Sequence, residues 1–221
     1  MRPLKAYINL SALTFNLQLV KKIAKNSKVM AVLKANAYGH GLEESVKAIK
    51  SADGIAILTI DEAIIIRKAG FENTILLLEG LFAGEDIYEA EKLNLNLVLH
   101  NDLQIEYLEQ ITLKTPINVH LKINTGMNRL GFPPDQVDYL IENLNANPNV
   151  SGITLMTHFA TADEKEGIEK QLNCFNQVTN NYNLSSSVAN SAALCKFPEA
   201  RLDWVRPGIM LYGASPFEDI S

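Results

Sequence analysis

The sequence has little cysteine and a single tryptophan, and it contains no block of like charge and no long apolar run. Its two cysteines, Cys174 and Cys195, lack metal-ligand spacing, so we expect reduced thiols, no metal site and a cytoplasmic protein. The net charge of −5 is spread over mixed acids and bases, which argues against nucleic-acid and membrane partners. No apolar stretch is long enough to cross a bilayer, and the N-terminus lacks a secretory signal.

Apolar runs alternate with amphipathic stretches along the chain. The runs are rich in Val, Ile and Leu, which is typical of strands buried on both faces of a parallel sheet. We predict eight strands, at residues 29–35, 54–58, 74–79, 95–100, 117–124, 152–158, 186–190 and 202–206. We predict helices between most of them, at residues 42–50, 61–69, 85–93, 103–111, 135–145 and 168–182.

This alternation indicates an α/β fold in one domain of 221 residues. Repeated β-then-α units require a parallel sheet with right-handed crossovers, and eight strands can close as a (β/α)8 TIM-type barrel. An open doubly wound sheet is the alternative, and the count of eight favours the barrel. Residues 6–10 are predicted as a strand and 11–24 as a capped helix before the first barrel strand. Thr59 with Glu62 forms a capping-box pattern, and Gly70 could end that helix.

Residues with reactive or charged side chains lie at the carboxyl ends of the predicted strands or just after them. In barrel enzymes the active site lies at the carboxyl ends of the strands, which places on one rim Lys34, Asn124, Arg129, His158, Asn190, Ser191 and Arg206. Each residue alone has an ordinary interpretation, such as a snorkelling lysine, a bonded core histidine, a helix cap or half of a salt bridge. Taken together on one rim, they favour a functional site, and a lysine at the end of a buried strand suits imine chemistry with a cofactor.

Five segments carry a family resemblance. VMAVLKANAYGHG at 29–41 resembles the pyridoxal-phosphate (PLP) lysine motif of bacterial alanine racemases, and HLKINTGMNRLGF at 120–132 resembles the second signature of that family. THFATAD at 157–163, ANSAA at 189–193 and WVRPGIMLYG at 204–213 are similar to its remaining active-site segments. The resemblance covers most of the chain.

The resemblance implies a PLP-dependent isomerase that interconverts L- and D-alanine for D-alanine biosynthesis and peptidoglycan. It implies that residues 1–221 are the N-terminal, PLP-binding barrel domain, and that the C-terminal β domain of the family is absent from this chain. The full-length enzyme is expected to be a homodimer whose second base is a tyrosine of the partner's β domain. The isolated chain is therefore expected to be inactive or nearly so.

The catalytic residues implied by the resemblance are Lys34, Arg129, His158 and Arg206. Lys34 would hold PLP as an imine and serve as the base on one face of the substrate Cα. Arg206 would face the pyridine nitrogen, to which a guanidinium can only donate a hydrogen bond. Lys122 stands where the family lysine is often carbamylated, and a carbamate there would hold Arg129.

The cofactor-binding residues implied by the resemblance, besides Lys34 and Arg206, are Tyr38, Asn190, Ser191, Gly208 and Ile209. Hydroxyl groups and the N–H groups that open a helical turn bind phosphate well, and Gly208 permits a close approach of the backbone.

The chain departs from the family pattern at Asn124, where the family commonly has aspartate, so a negative charge near Arg129 is missing. Three alternative functions stay open at this point. They are a free-standing non-catalytic PLP-binding barrel, a racemase of broader amino-acid specificity, and an α/β domain without a ligand. The NAYGHG and TGMNRLG segments favour the racemase.

Overall fold

The structure is a computed structural model that describes residues 5–218, and it contains a closed barrel of eight parallel strands. The strands are β1 Lys28–Val32, β2 Gly54–Ile57, β3 Thr74–Leu77, β4 Leu95–Leu99, β5 Ile117–Lys122, β6 Val150–Met156, β7 Ser185–Ser187 and β8 Trp204–Val205. Each strand pairs with the next along the chain, and β8 pairs with β1. The predicted (β/α)8 barrel is confirmed, and the open sheet is wrong.

Helices cover the outside of the barrel between the strands. The α-helices that match the sequence pattern are Leu10–Ala24, Leu42–Ala48, Ile60–Lys68, Ile87–Lys92, Asp102–Glu109, Val137–Ala146 and Glu169–Thr179, and a further short one is Ser191–Lys196. All eight strands end one to three residues before the predicted ends, because the apolar run continues past the strand onto the rim. β1, for example, ends at Val32.

The predicted strand at residues 6–10 is wrong. Residues 5–9 form no strand, and Leu10 already begins the helix Leu10–Ala24, whose N-cap Asn9 accepts a hydrogen bond from the N–H of Ala12 at 3.1 Å. A strand needs a neighbour to pair its N–H and C=O groups, and a closed barrel offers no free edge. The predicted helix at 11–24 is confirmed and begins one residue earlier.

The inside of the barrel changes character along its axis. An apolar core fills part of the barrel interior, and it contains Met30, Ala56, Leu76, Val98 and Trp204. Three buried residues with basic side chains, His120, Lys122 and Arg206, also lie on barrel strands or directly after them. The apolar core therefore closes the barrel interior, and the charged side chains gather at the carboxyl rim.

Two features are absent from residues 5–218, the part of the chain that the structure describes. Across this range, no helix has both the length and the apolar character needed to cross a membrane. Within the same described residues, no three His, Cys, Asp or Glu side chains are grouped in a way that could hold a metal ion. The two cysteines are partly buried and unpaired in the described structure.

Gly80 allows the chain to turn closely after β3. Its φ is +66°, and a Cβ there would lie 2.3 Å from the Val98 carbonyl oxygen and 2.4 Å from Nε2 of Gln104. We expect Gly80→Ala to lower the free energy of unfolding by about 2–4 kcal/mol, through left-handed strain and overpacking together.

The matched control for this change is Gly70→Ala. Gly70 has a φ of +81°, and its Cβ would meet nothing within 4 Å. It should therefore cost only about 1 kcal/mol, from the backbone conformation alone. Urea unfolding of both variants decides the matter: equal losses would show that the close contact after β3 is unimportant.

Candidate active site

A cavity of about 830 Å³ opens at the carboxyl rim of the barrel. Ten residues singled out from the sequence line it: Lys34, Tyr38, Lys122, Arg129, His158, Asn190, Ser191, Arg206, Gly208 and Ile209. Asn124 lies beside the cavity in the loop that leads to Arg129, and it is not a lining residue. The structure thus brings the predicted residues together, while their chemical roles stay predictions.

The turn after Lys34 is left-handed. Residues 35–38 all have φ between 53° and 55°, although none of them is glycine. A left-handed conformation costs roughly 1–2 kcal/mol per non-glycine residue, so four such residues cost roughly 4–8 kcal/mol. Backbone bonds from Ala37 N–H to the Leu33 carbonyl at 2.9 Å and from Gly39 N–H to the Ala35 carbonyl at 3.1 Å offset part of this strain. No feature of the sequence predicted this conformation.

The left-handed turn brings Tyr38 against the loop after β8. A Cβ on Gly208 would lie 2.7 Å from the Tyr38 hydroxyl oxygen, so only glycine permits this approach. Burial raises the pKa of Tyr38, and the hydroxyl therefore stays protonated at neutral pH and can donate a hydrogen bond into the cavity. Lys34 and Tyr38 thus reach one cavity from the two ends of a single turn.

Ser191 is bonded differently from the sequence-based expectation. Its Oγ accepts hydrogen bonds from the N–H groups of Gly208 at 2.9 Å and Met210 at 3.5 Å. The Gly208 N–H therefore binds Ser191, and the group left to point at a ligand is the hydroxyl hydrogen of Ser191. Asn190 is the N-cap of the helix Ser191–Lys196, where its side chain accepts from Ala193 N–H at 2.9 Å, as its helix-cap interpretation required.

Arg206 is a buried cation held by oxygen atoms. Its guanidinium donates to Ser187 Oγ at 2.7 Å and to the carbonyl oxygens of Thr157 at 2.6 Å and Val188 at 3.4 Å. Burial lowers its pKa to about 10, so it remains charged at neutral pH. Three of its five N–H groups have partners among residues 5–218, which leaves two that are not used by those residues.

The charge lining the cavity is mostly positive. Burial lowers the pKa of Lys122 to about 8, and the nearby charges of Arg206, Arg129 and Lys34 act in the same direction. Glu79, a carboxylate that also lines the cavity, opposes this shift. The four cationic side chains outnumber the two carboxylates of the lining, Glu79 and Asp163, so the opening attracts an anion. The surrounding cations also favour a neutral amine at Lys122.

Two histidines lie close to Arg206 and are uncharged at neutral pH. Burial, followed by the charges of Arg206 and Lys122, lowers the pKa of His158 to about 3. His120 was missed in the sequence, and its pKa is also lowered to about 3 by burial and Arg206. Its Nδ1 is buried and has no hydrogen-bond partner among the described residues. His120 could have been found from the sequence, because it lies two residues before Lys122 and therefore on the same face of β5.

Asn124 organises the loop that carries Arg129. Its Oδ1 accepts hydrogen bonds from the N–H groups of Gly126 at 3.1 Å and Asn128 at 3.0 Å, and its Nδ2 donates to Asn128 Oδ1 at 3.0 Å. A carboxylate could accept the same two N–H groups. The amide therefore preserves the loop geometry while it omits the negative charge.

The fold and the cavity together define a (β/α)8 barrel protein with a lysine-bearing, cationic site at its carboxyl rim. More particularly, the chain belongs to the alanine racemase family, because residues 8–216 match the family described as "Alanine racemase, N-terminal domain".

Relatives and solved structures agree with this assignment. The chain is 49% identical to alanine racemase of Nitrosospira multiformis over 218 residues, which are 97% of this chain and 61% of that protein. It is 45% identical to the catabolic alanine racemase of Klebsiella aerogenes, over 97% of this chain and 60% of that protein. The crystal structure of biosynthetic alanine racemase from Pseudomonas aeruginosa matches with a TM-score of 0.96 and 42% identity, over 100% of this chain and 63% of that chain. The chain thus spans about three fifths of the length of these relatives.

The lowered pKa of His120 predicts that the free energy of unfolding depends on pH. An unfolded histidine titrates near pH 6.5, whereas the buried native one titrates at about 3, so the unfolded state binds more protons between these values. Stability is therefore lost as pH falls through this window. His120→Met removes one such group, and the slope of unfolding free energy against pH should decrease by up to about 1.4 kcal/mol per pH unit.

Urea unfolding between pH 4 and 6 measures this slope. Leu121→Met on the same strand is the control, because it changes packing without removing a titrating group. It should shift the curve by a similar amount at every pH. A His120→Met slope equal to that of the unchanged protein would contradict the burial of a neutral His120.

Proposed function

We propose that the protein containing this chain is a PLP-dependent alanine racemase, an isomerase that interconverts L- and D-alanine and supplies D-alanine for peptidoglycan. The observation that supports the proposal most strongly is that Lys34 lines a mostly cationic cavity at the barrel rim. The membership of the chain in the alanine racemase family supports it. We further propose a cytoplasmic homodimer, with residues 1–221 as its PLP-binding barrel domain.

The residues present fit PLP. The cavity of about 830 Å³ is of the size that small-molecule sites usually have. Its phosphate-binding end would consist of the Tyr38 hydroxyl, the Ser191 hydroxyl and the N–H of Ile209, beside the close approach at Gly208. Neutral donors next to a cationic wall suit a phosphate dianion.

Lys34 is proposed to attach the cofactor and to move a proton on one face of the substrate Cα. When bound, PLP withdraws electrons from that carbon and so makes its proton easier to remove. Arg206 would donate a free N–H to the pyridine nitrogen. A guanidinium with a pKa of about 10 keeps its own protons at neutral pH, so it supports hydrogen bonding there rather than protonation.

Lys122 and Arg129 are proposed to complete the substrate side of the cavity. Carbamylation requires a neutral amine, and the lowered pKa of Lys122, about 8, makes this form accessible at neutral pH. The carbamate would supply a negative charge beside the exposed Arg129 and so hold its guanidinium towards the substrate carboxylate. His158, uncharged and beside Arg206, is proposed to take part in the same network.

Racemisation needs a base on each face of the Cα, and Lys34 serves one face. We propose that the second base belongs to the β domain of a partner subunit, outside this chain. Loss of a positioned acid–base group typically costs about 10²–10⁴-fold in rate, so the isolated chain should interconvert alanine poorly or not at all.

The assignment of Lys34 can be tested in the full-length protein. Borohydride reduction of the PLP-loaded protein, followed by peptide mapping, should place a pyridoxyl group on Lys34. Lys34→Arg should abolish both this label and alanine racemisation, because an arginine cannot form the imine. The matched control is Lys122→Arg, a second lysine of the same cavity, which should keep the label on Lys34. A label on another lysine in the unchanged protein would sink the assignment, and a correct label without turnover of D- or L-alanine would refute the racemase.

A further inference from the structure

We propose that Glu62 and His40 are positioning residues, which hold the left-handed turn at residues 35–38 from outside the cavity and so fix Lys34 and Tyr38 relative to each other. Glu62 acts at the beginning of the turn and His40 at its end. The inference rests on the proposed function, because it concerns the geometry with which Lys34 takes up PLP. Neither Glu62 nor His40 is among the residues that line the cavity.

The Glu62 side chain does not complete the capping box that the sequence predicts. The first half of the box is present, since the N–H of Glu62 donates to Thr59 Oγ1 at 3.3 Å. Its carboxylate, however, accepts from the N–H of Leu58 at 2.9 Å through one oxygen and from the N–H of Asn36 at 3.3 Å through the other. One carboxylate therefore joins the end of β2 to the turn that follows β1.

Asn36 links the Glu62 carboxylate to the helix Leu42–Ala48. It is the second residue of the left-handed turn, with φ of 55° and ψ of 47°. Its side-chain Oδ1 accepts from the N–H of Leu42 at 2.8 Å, at the beginning of the helix Leu42–Ala48. Asn36 is thus fixed through its backbone by Glu62 and through its side chain by the next helix, two residues after Lys34.

His40 holds the other end of the turn. Its Nδ1 lies 3.1 Å from the carbonyl oxygens of both Ala37 and Tyr38. Carbonyl oxygens only accept, so Nδ1 carries the hydrogen and donates to both. The His40 ring packs on Tyr212 with the ring centroids 4.7 Å apart, and Tyr212 packs on Tyr38 at 4.8 Å. The Tyr212 hydroxyl donates to the Val32 carbonyl at 3.1 Å, which anchors this stack to β1.

These contacts matter because the turn has a more favourable alternative. L-residues prefer the right-handed conformation, and residues 35–38 contain no glycine to remove that preference. Without its external bonds the turn would relax, and the amine of Lys34 would move relative to the phosphate-binding donors. Release of the end held by His40 would also move the Tyr38 hydroxyl away from Gly208.

The test compares two cofactors in the full-length protein. PLP can react with lysine, whereas pyridoxamine 5′-phosphate has the same phosphate and ring but no aldehyde. Glu62→Gln replaces one accepting oxygen with an NH2 group and disturbs the beginning of the turn. We expect it to weaken PLP uptake at Lys34 at least fivefold, measured by absorbance near 420 nm and borohydride trapping, and pyridoxamine 5′-phosphate binding less than twofold. Asp61→Asn, with the same charge loss in the same helical turn, should change neither.

His40 gives an independent arm of the same experiment. His40→Leu should weaken both cofactors at least fivefold, because Tyr38 is displaced along with Lys34. His40→Asn keeps an N–H donor near the position of Nδ1 and should restore most of this loss. Hydrogen exchange of the cofactor-free protein over residues 34–42 should accelerate in Glu62→Gln and His40→Leu, and not in Asp61→Asn.

Failure of this inference differs from failure of the proposed function. If the unchanged protein labels Lys34 but Glu62→Gln and His40→Leu bind PLP as it does, the positioning roles are refuted. Equal weakening of both cofactors by Glu62→Gln, or a loss in His40→Asn as large as in His40→Leu, would also refute them, because it indicates a general loss of structure. An unchanged protein that takes up no PLP at Lys34 would instead overturn the proposed function.

Discussion

The buried positive charge at the barrel rim is the constraint on which the site depends. Arg206 and Lys122 are buried, yet neither forms an ion pair within residues 5–218. The ion pairs found in that range belong to Lys47 and Lys92 on exposed helix surfaces, where such pairs contribute little. Buried charge without a counter-charge is costly, and the oxygens around Arg206 offset only part of this cost. An anion entering the cavity would stabilise the fold itself.

The closed barrel and the strained turn together explain why the charge is concentrated there. Closure brings the ends of β1, β5, β6 and β8 to one rim, so residues far apart in sequence share a cavity. The left-handed turn then directs both of its ends into that cavity. Strain of this kind persists only where the surroundings over-determine it, and at this turn the surroundings are Glu62, Asn36, His40 and the Tyr212 stack. Within residues 5–218, the longest run of left-handed residues other than glycine thus lies directly after Lys34.

Much of this architecture could be predicted from the sequence, because it follows from local periodicity. The eight apolar runs, their order and the residues that follow them were sufficient to give the barrel and one rim. The prediction of a strand at residues 6–10 was wrong because strand pairing depends on partners that are distant in the sequence. The handedness of the turn could not be predicted either, since Ala-Asn-Ala-Tyr prefers the right-handed form, and the contacts that oppose this preference include partners far along the chain, Glu62 and Tyr212. For the same reason, the bond that turns the Gly208 N–H towards Ser191 was visible only in the structure.

The most direct measurement is a crystal structure of the full-length protein grown with PLP. We expect continuous density from Nζ of Lys34 to the cofactor, with the phosphate between the Tyr38 hydroxyl and the N–H of Ile209 and the pyridine nitrogen facing Arg206. Residues 35–38 should keep their positive φ in the loaded state. A cofactor bound with its phosphate at Arg129, or a right-handed turn beside an attached Lys34, would contradict this account of the site.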